Sequence, residues 1–387
     1  MREKSAISSS RATNDCATVD FETRSACSLK TAGSWRYSLD PSTEVLCLAF
    51  HLPNWPDDRV ELWHPSFPAL GIAEAGDESL YVDLFMHVLG GGLVEAHNAW
   101  FERGIWTNIC LDLGWPVIKS HQWRCSAAKA AAHSLPRSLD DAAAALGLSI
   151  RKDAAGSKVM MKMNKPRKPR KKEREAGVQG LLWWETPDLF ATLWEYCKQD
   201  VRAEVALSAA LPNLSTSEQE LYELDQTINE RGFALDRPAI GQALILIEVE
   251  TTRLNLELAS LTQGQVTKAT QRAKLTSWLK GEGVFLPDTT AETVEAYLSP
   301  ESREPIVGPA RRALEILQSL GKASTAKYQA MQNWICPDNR VHGGLLFHGA
   351  STGRWTGAGV QPHNFPKGIW KDEECPMTDV WSYLQRR

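Results

Sequence analysis

Ala17-Thr18-Val19-Asp20-Phe21-Glu22-Thr23 is short, β-branched and alternating, with turn-type residues on both sides, and it predicts a β-strand. Side chains alternate across a strand, so Asp20 and Glu22 project from the same face. Two carboxylates side by side repel each other, which costs stability unless a cation sits between them. An isolated D-x-E is ordinarily the solvent face of a strand. This pair lies within a hydrophobic strand near the start of the first domain, where charge is out of place without a purpose.

Working outward, Glu44-Val45-Leu46-Cys47-Leu48-Ala49-Phe50 predicts a second strand and Leu93-Val94-Glu95-Ala96-His97 a third. The third runs into a helical pattern around Phe101, Ile105 and Trp106. His97-Asn98-Ala99-Trp100-Phe101-Glu102 therefore places a third carboxylate one helical turn beyond a strand end. Ser138 and Asp141 stand at capping-box spacing before a short Ala-rich helix that Gly147 stops. Thr186-Pro187-Asp188 supplies an N-cap, a proline at the first helical position and an acid in the first turn. The helix that follows carries Leu189, Leu193, Tyr196, Cys197, Asp200, Val201 and Val205 as far as Pro212. Tyr196 and Asp200, at i and i+4, share one face of it.

Four acids at strand and helix ends, with one tyrosine, match the needs of a two-metal phosphodiesterase. Such a site holds two divalent ions about 4 Å apart around one phosphate. Carboxylates suit Mg²⁺ or Mn²⁺, and the lack of a Cys/His cluster argues against zinc.

The order D-F-E-T, H-N-x-x-F-E, Y-x-x-x-D resembles the exonuclease domain of the DEDD superfamily in its tyrosine-bearing variety. The wider sequence resembles phage-type family A DNA polymerases, the DNA polymerase I group. Its further matches are Asp40-Pro41-Ser42-Thr43 with Val45-Leu46-Cys47-Leu48, and Leu224-Asp225-Gln226-Thr227-Ile228-Asn229-Glu230-Arg231-Gly232-Phe233. Gly349-Ala350-Ser351-Thr352-Gly353-Arg354-Trp355 and Gln361-Pro362-His363-Asn364-Phe365-Pro366 complete the series. The resemblance implies a ribonuclease H-like α/β domain, a mixed sheet with flanking helices, and a mostly helical thumb-like domain after it. It implies that Asp20, Glu22, Glu102 and Asp200 hold two Mg²⁺ (or Mn²⁺) ions and that Tyr196 orients the attacking water. Asn98 would help hold substrate. Most members have Asp where this chain has Glu102, so the ligand here is one methylene longer.

The resemblance also implies DNA contacts by Lys322 and Lys327 in the thumb, and by Arg354, Gln361 and Asn364 in the first palm segment. His363 stands where the family usually has Gln. The palm's D-[FY]-S-x-[IL]-E, the K-x-x-x-F-G-x-x-Y-G helix and the H-D-E are absent from these residues. Polymerisation would thus require a palm and fingers supplied elsewhere, for instance by a separate subunit. The implied substrate is DNA, as a single-stranded 3′ end or a primer-template. Two other classes stay open: a non-catalytic DNA-binding or assembly subunit, and a 3′→5′ exoribonuclease of the same fold.

Residues 151–175 carry eleven Lys or Arg against three acids, an excess of eight positive charges in a chain of net charge −4. With two prolines among them, they predict an irregular basic loop. Arg167, Lys168, Arg170, Lys171 and Lys172 are its candidate phosphate contacts, placed to guide a single strand toward the metals. The expected division is a polar leader over 1–14, an exonuclease domain over 15–212 and the helical part over 213–387. In that part Ser217 and Glu220 suggest another capping box, and 236–262 and 309–334 are long amphipathic stretches.

The 387 residues suit two domains, and 43% hydrophobic with 23% charged residues excludes disordered, fibrous and collagen-like chains. No apolar run approaches the roughly 20 residues of a membrane span. The polar N-terminus lacks the apolar core of a signal peptide. Eight scattered cysteines without C-x-x-C predict a reduced cytosolic protein, and the resemblance implies the phage or bacterial host cytoplasm.

Overall fold

The computed structural model describes residues 15–72, 78–150, 153–299, 306–321 and 323–365. The chain divides into two units. One comprises the described residues up to Ala234 together with Trp334–Gln361, the other Leu235–Asn333 with the described residues from Pro362.

The first unit is built on a mixed five-stranded sheet of β1 (Cys16–Arg24), β2 (Glu44–His51), β3 (Glu61–Trp63), β4 (Leu93–Ala96) and β5 (Trp123–Cys125), in the order β3-β2-β1-β4-β5. β1, at its centre, runs antiparallel to β2 and parallel to β4. Its alternation sorts the two faces. Val19 and Phe21 enter the main core with Trp106, Trp115 and Trp123, while Asp20 and Glu22 lie opposite Ala49 and Cys47. The register shifts after Glu22, leaving Leu46 without a partner on β1. Leu46 joins a separate apolar cluster with Met163, Phe190, Leu193 and Tyr196.

The first helices are α1 (Leu29–Ala32), α2 (Ser34–Ser38), α3 (Glu78–Leu89), α4 (Trp100–Asn108), α5 (Ser126–Ala132) and α6 (Leu139–Ala145). After them come α7 (Ala154–Met163), α8 (Lys171–Glu175), α9 (Pro187–Ala210) and α10 (Thr216–Arg231). α9 starts as expected, with Thr186 at the N-cap, Pro187 in the first turn and Asp188 after it. It packs against β1 and β2. The expected cap at Ser138 holds the right position but makes no side-chain bond. The α10 cap is Ser215, which accepts from Glu218 N, rather than Ser217.

The basic segment departs from expectation. It is not an irregular loop: its described part forms α7 and α8. Asp153 caps α7 by accepting from Ala155 N and Gly156 N. Val159, Met160 and Met163 then pack against the Phe190–Leu193–Tyr196 cluster of α9. Arg167 grips Glu173 through two bonds of 2.7 and 2.6 Å, closing the turn between the helices. The prolines confine irregular backbone to a short link. Arg151 and Lys152 lie outside the described residues, as does the leader over 1–14.

The second unit is helical: α11 (Arg237–Leu261), α12 (Arg272–Gly281), α13 (Ala291–Leu298), α14 (Gly308–Leu320) and α15 (Ala323–Trp334), around Leu258, Leu275, Leu279, Ala313 and Leu314. The amphipathic stretch 309–334 is two helices, not one. The division also falls later than residue 212, because α10 and residues 334–361 belong with the sheet. Asn229 of α10 explains this. Its Nδ2 donates to Leu345 O at 3.0 Å and its Oδ1 accepts from Leu345 N at 2.8 Å. Short ladders join β6 (Phe233–Ala234) to β7 (Arg340–Val341) and β8 (Leu345–Leu346) to β9 (Thr356–Gly357). Gly232 is required where the chain turns into β6: its φ is +61°, and a Cβ there would strike Val341 O. No helix among the described residues is long and apolar enough to cross a membrane.

Asp225, beside Asn229, yields a pH prediction. Burial raises its carboxyl from 3.8 to about 6, although Gln226 and Asn229 both donate to it. Between about pH 4 and 6 the unfolded chain ionises while the folded one stays protonated, so stability falls as pH rises. The deficit above pH 6 is about 3 kcal/mol from this group. Asp225→Asn removes it. From pH 4.5 to 7.5 the wild-type melting temperature of the first unit should therefore fall relative to the variant. Parallel curves would refute the assignment.

Candidate active site

Asp20 and Glu22 arrive on the α9 face of the sheet because β1 alternates. α9 answers with a stripe at every fourth residue, Tyr196, Asp200, Glu204 and Ser208, all buried. The strand face meets this stripe in a buried acidic seam, where Asp20 acts on Glu204. Cys197 ties them: its thiol donates to the Asp20 carbonyl and to Asp20 Oδ2, both at 3.3 Å. Burial first, then Cys47, Asp20 and Glu22, push that thiol far above its usual range, so it stays protonated and serves as a donor.

Glu102 enters from α4. It is 3% exposed, and its Oε2 has no hydrogen-bond partner among the described residues. Burial, then the charge of Asp20, hold its carboxyl well above the ordinary carboxylate range. Asp20 thus lies close enough to act on Cys197, Glu102 and Glu204 alike. Asp200 is 6% exposed, one turn beyond Tyr196.

Tyr196 is only 1% exposed. α7 lies against it through Gly156, where a Cβ would come within 2.6 Å of Tyr196 Cβ. The described residues contain no group of three or more His, Cys, Asp or Glu arranged to hold a metal ion. The donor set nevertheless suits a hard cation. Its acids are carboxylates, and a charge between Glu102 and Asp20 would relieve both the unsatisfied Oε2 and their mutual repulsion.

Asn98 sits exposed in the turn between β4 and α4 at φ +69°, a left-handed conformation that asparagine tolerates. The turn is held from behind. His97 Nδ1 meets Ser126 Oγ at 2.8 Å, Ser126 Oγ donates to Glu204 Oε1 at 2.8 Å, and His97 Nε2 meets Arg137 O at 2.8 Å. Sequence reading gave no site role to Glu204, Ser126, Cys197 or Gly156. For Glu204 the signal was present, since it continues the Tyr196–Asp200 spacing by four more residues.

The expected DNA contacts fall on both units. Lys168, Arg170, Lys171 and Lys172 are exposed around α8, whereas Arg167 is partly buried and held by Glu173. Arg354 is exposed, and Gln361 donates to Gly357 O at 3.1 Å from a left-handed backbone, φ +51°. Lys327 and Asn364 belong to the second unit. Lys322 lies outside the described residues.

Over 362 residues the chain is 31% identical to the DNA polymerase of Bacillus phage SP02, covering 92% of this chain and 52% of the relative. The chain is similar to a phage DNA polymerase. It spans about half that relative's length. A solved structure, the POL domain of Pol1 from M. smegmatis in complex with DNA primer-template and dNTP, aligns at a TM-score of 0.45 and 15% identity, over 90% of this chain and 52% of that one. No family model matches.

Proposed function

We propose that the chain is the exonuclease-bearing part of a family A-type DNA polymerase, and that it removes 3′-terminal nucleotides from DNA. The observation that carries this is the Asp20–Glu22 face of β1 held against α9 by Cys197, with Glu204 and the unsatisfied Glu102 Oε2 within electrostatic reach of Asp20. The similarity to a phage DNA polymerase supports it. On this reading the first unit is ribonuclease H-like and the helical unit a thumb that grips duplex DNA. Two Mg²⁺ or Mn²⁺ ions held by Asp20, Glu22, Glu102 and Asp200 would activate water and stabilise the leaving 3′ oxygen. Tyr196 would orient that water, and Asn98 would hold the terminal nucleotide. Nucleotide addition would need a palm and fingers, in the same polypeptide or in a separate subunit.

A second reading draws on Tyr196 being 1% exposed beneath Gly156: a non-catalytic DNA-binding subunit whose site is closed. Incubating the purified chain with 5′-labelled single-stranded DNA, duplex DNA and RNA, with and without Mg²⁺, separates the readings. Metal-dependent shortening of DNA from the 3′ end supports the first. Binding without shortening supports the second, and a preference for RNA would make the site an exoribonuclease.

Glu102→Asp should keep or raise hydrolysis, because the shorter acid is the family's usual ligand length. Single-turnover rates on single-stranded DNA check this. A loss beyond about a hundredfold, nearly 3 kcal/mol of barrier, would show a site built around the longer side chain.

A further inference from the structure

Arg24 ends β1 on the same face as Asp20 and Glu22, two residues and about 7 Å beyond Glu22 along the strand. Its guanidinium is held in place. Nε donates to Glu44 Oε2 at 2.7 Å and Nη1 to Glu185 Oε1 at 2.6 Å. Over it, 4.8 Å from ring centroid to Cζ, lies the indole of Trp183. Trp183 therefore stands at the end of the carboxylate row. It is partly exposed and belongs to none of the apolar clusters among the described residues. A large aromatic kept out of every core invites an explanation other than packing.

Its neighbour behaves differently. Trp184 packs against the Phe190–Tyr196 cluster and draws in three cations, with Lys162 Nζ at 4.3 Å and the Arg167 and Arg170 guanidinium carbons at 5.6 Å from its ring. Arg167 also bonds the carbonyl of Trp183, from Nε at 2.9 Å. Ser25 N, just past β1, donates to Asn164 O at 3.1 Å. The basic arm is thus folded and fastened to the end of β1. Lys165, Lys168, Lys171 and Lys172 stand exposed along it.

Exposed cations beside a cation-backed aromatic face are what a single strand requires: phosphates meet the charges and a base stacks on the ring. We propose that Trp183 is a stacking platform for a base of single-stranded DNA whose 3′ end lies at Asp20 and Glu22, with the lysines of the α7–α8 arm on its phosphates. Strand direction rests on the exonuclease reading; the stacking contact itself requires no hydrolysis.

The test is therefore binding in EDTA. Oligodeoxynucleotides with 2-aminopurine at successive positions from the 3′ end are titrated with wild type, Trp183→Phe and Trp183→Leu. Stacking quenches the probe at one or two positions in wild type and Phe, and not in Leu. Trp183→Leu weakens single-strand affinity roughly five- to hundredfold, the range for one lost base stack, while blunt-duplex affinity stays within about twofold. If Leu binds and quenches as wild type does, the platform is wrong, whatever the nuclease assay shows. If Phe and Leu lose affinity equally and both melt lower, Trp183 is a packing residue and the platform is equally wrong. If the pattern holds in EDTA while wild type hydrolyses nothing with Mg²⁺, the platform stands and the exonuclease reading falls.

Discussion

Asp20→Ala and Asp200→Ala are each expected to lower Mg²⁺-dependent 3′→5′ hydrolysis by about a thousandfold or more. A lost carboxylate ligand removes several kcal/mol of charge stabilisation from the transition state. The fold should survive both changes. Asp20 lies among acids and raises the cost of ionising Glu102 and Glu204. Without metal, deleting Asp20 relieves that repulsion. Melting temperatures in EDTA should be equal to wild type or slightly higher. Wild-type hydrolysis by both variants would show that the seam is not the site. Unfolded variants would show that these acids are structural.

The second large effect concerns the basic arm. Arg167 is a poor choice for substitution, because it closes the arm through Glu173 and the Trp183 carbonyl. Lys165, Lys168, Lys171 and Lys172 are exposed, and changing all four to Ser tests phosphate contact alone. Each phosphate contact on a single strand contributes about 0.7 to the slope of log affinity against log salt. If all four contacts exist, the slope should flatten by about 3. Near 0.1 M salt the affinity should fall by about a hundredfold or more, and turnover at saturating DNA should change little. Filter binding across a salt series checks this. Unchanged affinity and slope would make the arm a solvated insertion.

Much of the site's layout was legible in the sequence because strand and helix periodicities are local. Alternation in β1 was enough to place Asp20 and Glu22 on one face, and a spacing of four put Tyr196 and Asp200 on one side of α9. Caps located α9, and the pattern of β4 running into a helix located the α4 turn that delivers Glu102. The charge of the arm was equally plain, but its shape was not. Methionines at 160 and 163 acquire meaning only when the α9 cluster is there to receive them, and the Arg167–Glu173 clasp forms across a turn that composition does not reveal.

The domain division shows the same limit from the other side. Local pattern alone put the break after Pro212, yet Asn229 bonds across 116 residues to Leu345 and draws α10 back to the sheet. By itself, the sequence determined which acids face the same way, where the long helices start, and that charge concentrates between Glu102 and Asp200. Tertiary structure alone decided that Cys197 bonds Asp20, that Gly156 lies against Tyr196, and that Trp183 stands over Arg24 at the end of the carboxylate row. The physical reason is range: periodicity acts over a few residues, while burial and Coulomb forces act between whichever groups the packed chain brings within a few ångströms.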